Sequence, residues 1–250
     1  MHRLLPRDGV LAHSDTLDHV GLLAPGVHDL VPLLAALGAP PSAPPGRARI
    51  AWVADWDVPA ATDIEDALRR AARMFGAAGA EIAQLEAPIG IEAARQLVRS
   101  IGLPESVAHH RALLAAPADA LSQRVRGWLS PGIGLDPAIR MAALEARAAL
   151  AASVDAMLAR CDAILCVGHL QLLPDAADER ACIAYCLASP NCVFNLTGHP
   201  ALSVPAGLDR SGRPIGLQLV GRHGADLALL ALATAIELPA LPAGAMRAAQ

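Results

Sequence analysis

Asn195-Leu-Thr-Gly-His-Pro-Ala-Leu-Ser-Val-Pro-Ala-Gly207, followed shortly by Gly212-Arg-Pro-Ile-Gly-Leu-Gln-Leu-Val-Gly221, decides the fold. Ala201–Val204 and Ile215–Val220 are short apolar runs, the length and composition of strands. Asp209, Arg210, Ser211 and Gly212 supply the turn between them. Both runs are apolar on both faces, which predicts a sheet covered on both sides. Gly216 and Gly221 are expected where backbones approach closely, and Asn195 and Gln218 as structural hydrogen-bonding groups. Leu227–Ile236 then reads as a closing helix, with a loose tail at 239–250.

The same pattern extends towards the N-terminus. Asp162–Val167 is a strand candidate, and a helix is expected over Asp178–Leu187. Asp136 and Pro137 open a long helix as N-cap and first position. Ile91–Trp128 is mostly helical, with breaks expected at Gly102–Pro104 and Pro117. Arg49–Ala54 and Glu81–Leu85 read as strands flanking a helix over Thr62–Ala78, a unit that suggests a parallel pair with a crossover. Ile64, Leu68, Ala71 and Phe75 define the helix's core face. Thr62 with Glu65 fits a capping box, and Glu65–Arg69 and Asp66–Arg70 fit ion pairs on the opposite side. Upstream, Val27–Leu37 reads as a helix stopped by Gly38 and confined by Pro32 to a turn or two. Pro40, Pro41, Pro44, Pro45 and Gly46 make a stiff connector. The expected class is α/β: a mixed sheet core flanked by helices.

The 250 residues are 54% hydrophobic and 18% charged, with a net charge of −4. That composition buries a core and argues against disorder. Its weak acidity, with no basic patch, argues against nucleic acid as a partner. All 20 basic residues are arginine, so no mechanism that needs a lysine base is available within this sequence. The five cysteines are an odd number, and Asp8 interrupts the N-terminus before a signal-peptide core can form. No apolar run reaches the roughly 18 residues of a membrane span. The expectation is a cytoplasmic protein with reduced thiols and no membrane association.

Two segments carry a family resemblance. The stretch from Asn195 to Gly221 resembles the C-terminal sheet segment of amidase-signature enzymes. Arg7-Asp-Gly-Val-Leu with Ser14-Asp-Thr-Leu-Asp-His-Val-Gly21 is similar to the stretch that follows their nucleophile region. The family usually has Arg where Pro25 stands. It usually continues the central strand with Thr-Pro, where this chain has Gly168-His169-Leu170. That position makes His169 the candidate substrate-binding residue. The resemblance implies hydrolysis of carbon–nitrogen amide bonds by a serine nucleophile, a second serine that relays the proton, and a lysine base. This sequence has no adjacent serines, no Gly-Gly pair and no lysine, so no catalytic residue is assigned.

The chain is therefore expected to be one incomplete amidase-like domain over 1–250, inactive alone. A truncated gene, a late start or a split gene would produce it. A homodimer or a partner chain would complete the fold, and a small-molecule amide would be its substrate only with the missing half supplied. Exposed apolar surface is expected beside the strands, as a broad concavity near His169. No cofactor is implied.

Other sites are weaker by their chemistry. His13, Ser14, Asp15, Asp18 and His19 gather triad residue types, but sequence neighbours rarely converge as a triad, and a polar loop is the simpler reading. Cys161, Cys166, His169, Cys182, Cys186 and Cys192 lack the paired spacing of structural zinc sites, so no metal is expected. Cys182 and Cys186, one helical turn apart, suit burial as small apolar side chains. Cys166 with His169 reads as a strand-end thiol beside a pocket imidazole rather than a nucleophile and its base. His109 and His110 read as solvated helix residues.

Overall fold

The computed structural model describes residues 5–38, 46–117 and 120–234. The proline connector up to Pro45, the last two residues of the expected closing helix and the tail at 239–250 lie outside them.

Five strands form one sheet in the order β2-β1-β3-β5-β4. These are β1 (Arg49–Val53), β2 (Glu81–Gln84), β3 (Ala163–Val167), β4 (Ala201–Leu208) and β5 (Pro214–Val220). β1 pairs in parallel with both β2 and β3, whereas β5 runs antiparallel to β3 and to β4. The chain is thus α/β with a mixed sheet flanked by helices, and all three strand runs expected to share a sheet do so.

β3 is the centre: every residue of Ala163–Val167 is buried. Asp162 fixes where it starts. Its carboxylate accepts from the Arg49 N–H at 2.8 Å, and its own N–H donates to the Arg49 carbonyl at 2.8 Å. Helix α2 (Thr62–Ala77) lies against the sheet. Its Ile64, Leu68, Ala71 and Phe75 are all buried, as the spacing predicts. Gly79 ends this segment in the left-handed region at φ +94°.

The capping box is not formed. Ala61 is the N-cap, which leaves Thr62 already inside the helix and its hydroxyl out of capping position. Glu65 pairs with Arg69 at 2.9 Å, and Asp66 also reaches Arg69, at 3.3 Å, rather than Arg70.

Two prolines do less than expected. Helix α1 (Val27–Ala36) runs through Pro32 for ten residues. Helix α3 (Ile91–His109) runs unbroken through Gly102 and Pro104. Pro104 removes one backbone hydrogen bond, but Ile101, Gly102, Leu103, Glu105 and Ser106 around it are all buried. Packing of that turn outweighs the local propensity. The chain breaks instead at His110, before the short helix α4 (Arg111–Ala115), and α5 (Gln123–Leu129) follows.

Helix α6 (Pro137–Arg160) begins at Asp136, whose side chain accepts from the Ala138 N–H at 2.8 Å. It packs with α3 and with α8 (Asn191–Thr197), a helix not foreseen from the sequence. Helix α7 (Glu179–Leu187) has no buried residue, and Cys186 is exposed, so burial does not explain that cysteine pair. Helix α9 (Asp226–Thr234) packs on β4 and β5.

β4 is an edge strand. Ala201 and Ser203 are exposed while Val204 and Ala206 are buried, so it is not covered on both faces as its composition suggested. The close backbone approach is also displaced. A side chain on Gly216 would meet nothing within 4 Å, and one on Gly221 only ordinary contacts with Leu229. It is Gly168 whose added Cβ would stand 3.1 Å from the Gly216 carbonyl oxygen.

Candidate functional site

The two segments that carry the family resemblance meet in space. His19, Val20 and Gly21 face Asn191, Phe194, Asn195, Gly198 and His199 across one open cavity, which Pro200 and Ala201 complete. Arg147 on α6 fastens the two walls. Its Nε donates to the Leu196 carbonyl at 2.5 Å and its terminal nitrogen to the Thr16 carbonyl at 3.0 Å. A guanidinium suits this because its planar fork holds several donors in fixed directions.

Local structure shapes the second wall. Helix α8 ends at Gly198 in the left-handed conformation, φ +73°, which favours glycine. The chain then turns through His199 and Pro200 into β4. His199 is buried; its Nδ1 lies 2.9 Å from the Thr197 hydroxyl and its Nε2 3.1 Å from an Asp155 carboxylate oxygen. Burial pushes the His199 imidazole below its ordinary value, neighbouring His223 pushes the same way, and Asp155 only partly opposes them. His19 donates from Nδ1 to the Leu17 carbonyl at 2.7 Å, since a carbonyl can only accept. Asn191 presents a buried carboxamide oxygen that accepts no hydrogen bond from the described residues.

No hydroxyl, thiol, amine or carboxylate side chain lines this cavity among the described residues. The triad residue types near the N-terminus disperse, and no triad forms among them. Ser14 is fully buried and donates to Glu105 at 2.5 Å. His13 Nδ1 lies 3.0 Å from the Ser106 hydroxyl. Asp18 accepts from the backbone N–H groups of His13 and Ser14, and Asp15 pairs with His109 at 3.0 Å. Glu105 also receives the Thr16 hydroxyl and Arg140. Burial alone would raise its carboxyl, but the hydrogen bonds from Ser14, Thr16 and Arg140 win and hold it below the ordinary value. A carboxylate held that low is a poor base towards Ser14.

His169 lies elsewhere. It stacks on Tyr185 with centroids 4.0 Å apart and planes 8° from parallel. It lines a separate small cleft with Leu173, Tyr185 and Gly216, near the opposite end of the β4–β5 hairpin from the motif cavity. Burial lowers its imidazole. Leu173 is exposed there, but the concavity is a small cleft rather than a broad one. Cys166 is fully buried, 4.0 Å from the Gln218 carboxamide oxygen. Burial pushes its thiol up, out of the range of a nucleophile near neutral pH. Gln218, expected as a structural hydrogen-bonding group, is buried there.

One grouping is not foreshadowed by any motif. Asp155, His199 and His223 come together beside the cavity, though they are far apart in sequence.

Fold and cavity define an α/β protein with an open cleft at the sheet's antiparallel end. The profile of the family described as Amidase matches residues 1–230, and the chain belongs to that family. It is 26% identical to a glutamyl-tRNA(Gln) amidotransferase subunit of Neisseria gonorrhoeae, over 93% of this chain and 57% of that protein. A shorter stretch of 43 residues is 56% identical to fatty acid amide hydrolase of Arabidopsis thaliana, over 17% of this chain and 7% of that one. Among solved structures, one described as an amidase superposes with a TM-score of 0.81 at 24% identity, over 94% of this chain and 56% of the other; at that identity the likeness shows the fold. The chain spans just over half the length of the Neisseria protein. Among the described residues, no helix is long and apolar enough to cross a membrane.

Proposed function

We propose that these 250 residues form the substrate-facing half of an amidase-signature hydrolase of carbon–nitrogen amide bonds, and that they do not hydrolyse amides alone. The observation that carries this reading is the cavity itself. Both family segments wall it, and no hydroxyl, thiol or amine side chain among the described residues lines it. Amide hydrolysis needs an activated nucleophile and donors facing the developing oxyanion. The resemblance assigns those tasks to paired serines and a lysine, and the sequence contains neither a serine pair nor a lysine. On this reading residues 1–250 are a single incomplete domain, and an amide reaches the cavity productively only when another polypeptide segment supplies the nucleophile. His169 is retained as a substrate contact only through its own cleft.

The alternative is a non-catalytic subunit that completes an amidase fold with a partner chain or a second copy. Leu11 is 81% exposed and Leu23 96% exposed, on the same segment that builds the first cavity wall. Large apolar side chains so placed suit coverage by another chain. Co-expression with an amidase-family N-terminal half carrying the Ser-Ser-Lys set tests both readings. The first predicts a copurifying complex that releases ammonia from primary amides. A complex without turnover favours the second. No association contradicts both.

A further inference from the structure

We propose that Asp155, His199 and His223 bind one divalent transition-metal ion of the zinc class, beside the cavity where the two family segments meet. The three residues come from separate elements: Asp155 from α6, His199 from the turn between α8 and β4, and His223 from the turn between β5 and α9. One ligand atom from each lies within 4.8 Å of the others. An ion with bonds of about 2.0–2.1 Å in tetrahedral geometry sets its ligand atoms roughly 3.3 Å apart. His199 Nε2 and the Asp155 oxygen are 3.1 Å apart, and the rings of His199 and His223 are 4.0 Å apart between centroids. Small side-chain rotations close that set.

The scaffold holding the two imidazoles is rigid. Ala201 pairs with Val220, and the Gly221 N–H donates to the Pro200 carbonyl at 2.9 Å. His199 and His223 therefore stand just beyond the end of one β-ladder, their spacing set by backbone hydrogen bonds.

The hydrogen bonds around His199 orient it as a ligand. The Thr197 hydroxyl reaches the Phe194 carbonyl at 3.4 Å, where it can only donate. The His199 Nδ1 lies 2.9 Å from that hydroxyl and its Nε2 faces the Asp155 carboxylate at 3.1 Å. With the ring proton on Nδ1, where the Thr197 oxygen accepts it, Nε2 offers its lone pair to an ion shared with Asp155. An outer hydrogen bond that fixes the tautomer of a ligating histidine is the usual companion of a metal site. Two imidazoles and a carboxylate form a donor set that suits zinc, and three protein ligands leave a fourth position open. Asp155 and His223 are exposed, which gives an ion a path in. The sequence expectation of no metal rested on cysteine spacing, and these three residues include no cysteine.

Calorimetric titration of the metal-stripped 250-residue chain with zinc chloride tests the proposal. One saturable site per chain is expected, with one bound zinc by elemental analysis. His223→Ala and Asp155→Asn alter exposed side chains and should preserve the fold by circular dichroism. Each should weaken zinc binding by at least about tenfold. A variant with Cys182, Cys186 and Cys192 all changed to Ser should bind zinc as the parent does. Absence of saturable binding, or unchanged affinity in His223→Ala, would overturn the assignment. These readouts do not depend on amide turnover, so they separate this proposal from the functional one.

Discussion

The carbonyl oxygens of Thr16 and Leu196 accept hydrogen bonds from one guanidinium, that of Arg147. Thr16 lies in the first family segment and Leu196 in the second, so a single side chain on α6 holds both walls of the cavity. Arg147→Ala should leave two carbonyls without their charged donor and cost about 3 kcal/mol. Arg147→Lys should recover only part of this, because an ammonium cannot span both acceptors as a planar fork does. Urea midpoints of the two variants check this, and equal midpoints for wild type and Arg147→Ala would contradict it.

Glu105 gives the fold a defined acid sensitivity. Its folded value lies below the ordinary 4.5, because its hydrogen bonds outweigh burial. A depressed carboxyl stabilises the fold fully above the unfolded value and loses that contribution as pH falls through the folded one. Glu105→Gln should be about 1.5–3 kcal/mol less stable than wild type near neutral pH. That gap should narrow as pH drops below 4.5. Urea midpoints of both proteins across this range give the test, and a gap independent of pH would be inconsistent with the network.

Two glycines should respond unequally to the same change. A Cβ on Gly132 would sit 2.8 Å from the backbone carbonyl of Leu103, whereas one on Gly216 would meet nothing within 4 Å. Gly132→Ala should cost about 1–3 kcal/mol through overpacking of a turn against α3. Gly216→Ala should be close to neutral. Thermal melts of the pair report the difference.

Leu11 and Leu23 should promote association. Leu11→Ser with Leu23→Ser removes two exposed apolar side chains and should leave the urea midpoint within about 0.5 kcal/mol of wild type. Light scattering should show less self-association in the double variant. A wild-type chain that stays monomeric at all concentrations would remove the support for a covering partner.

Sequence patterns carried the sheet well. Alternation of apolar runs with turn residues placed β3, β4 and β5, and the spacing of Ile64, Leu68, Ala71 and Phe75 placed α2 on its buried face. The failures have physical causes. Pro32 and Pro104 were given their local weight, but packing around the turn at Ile101–Ser106 decides α3. Thr62 with Glu65 matches a capping box, yet the chain enters the helix one residue earlier, at Ala61. Helix α8 was hidden inside a motif otherwise made of strands. The cavity was legible only in part. Its two walls were the two family segments, but nothing in either segment points to Arg147. Asp155, His199 and His223 were not legible at all, because their meeting depends on how α6 packs with α8 and so brings Asp155 to the turns that carry the two histidines.

Ammonia release from a panel of primary amides by the purified 250-residue chain is the most direct test of the central claim. The account predicts a rate no greater than that of buffer at any protein concentration, from a chain shown to be folded by circular dichroism. Turnover that rises in proportion to the concentration of this chain would contradict it.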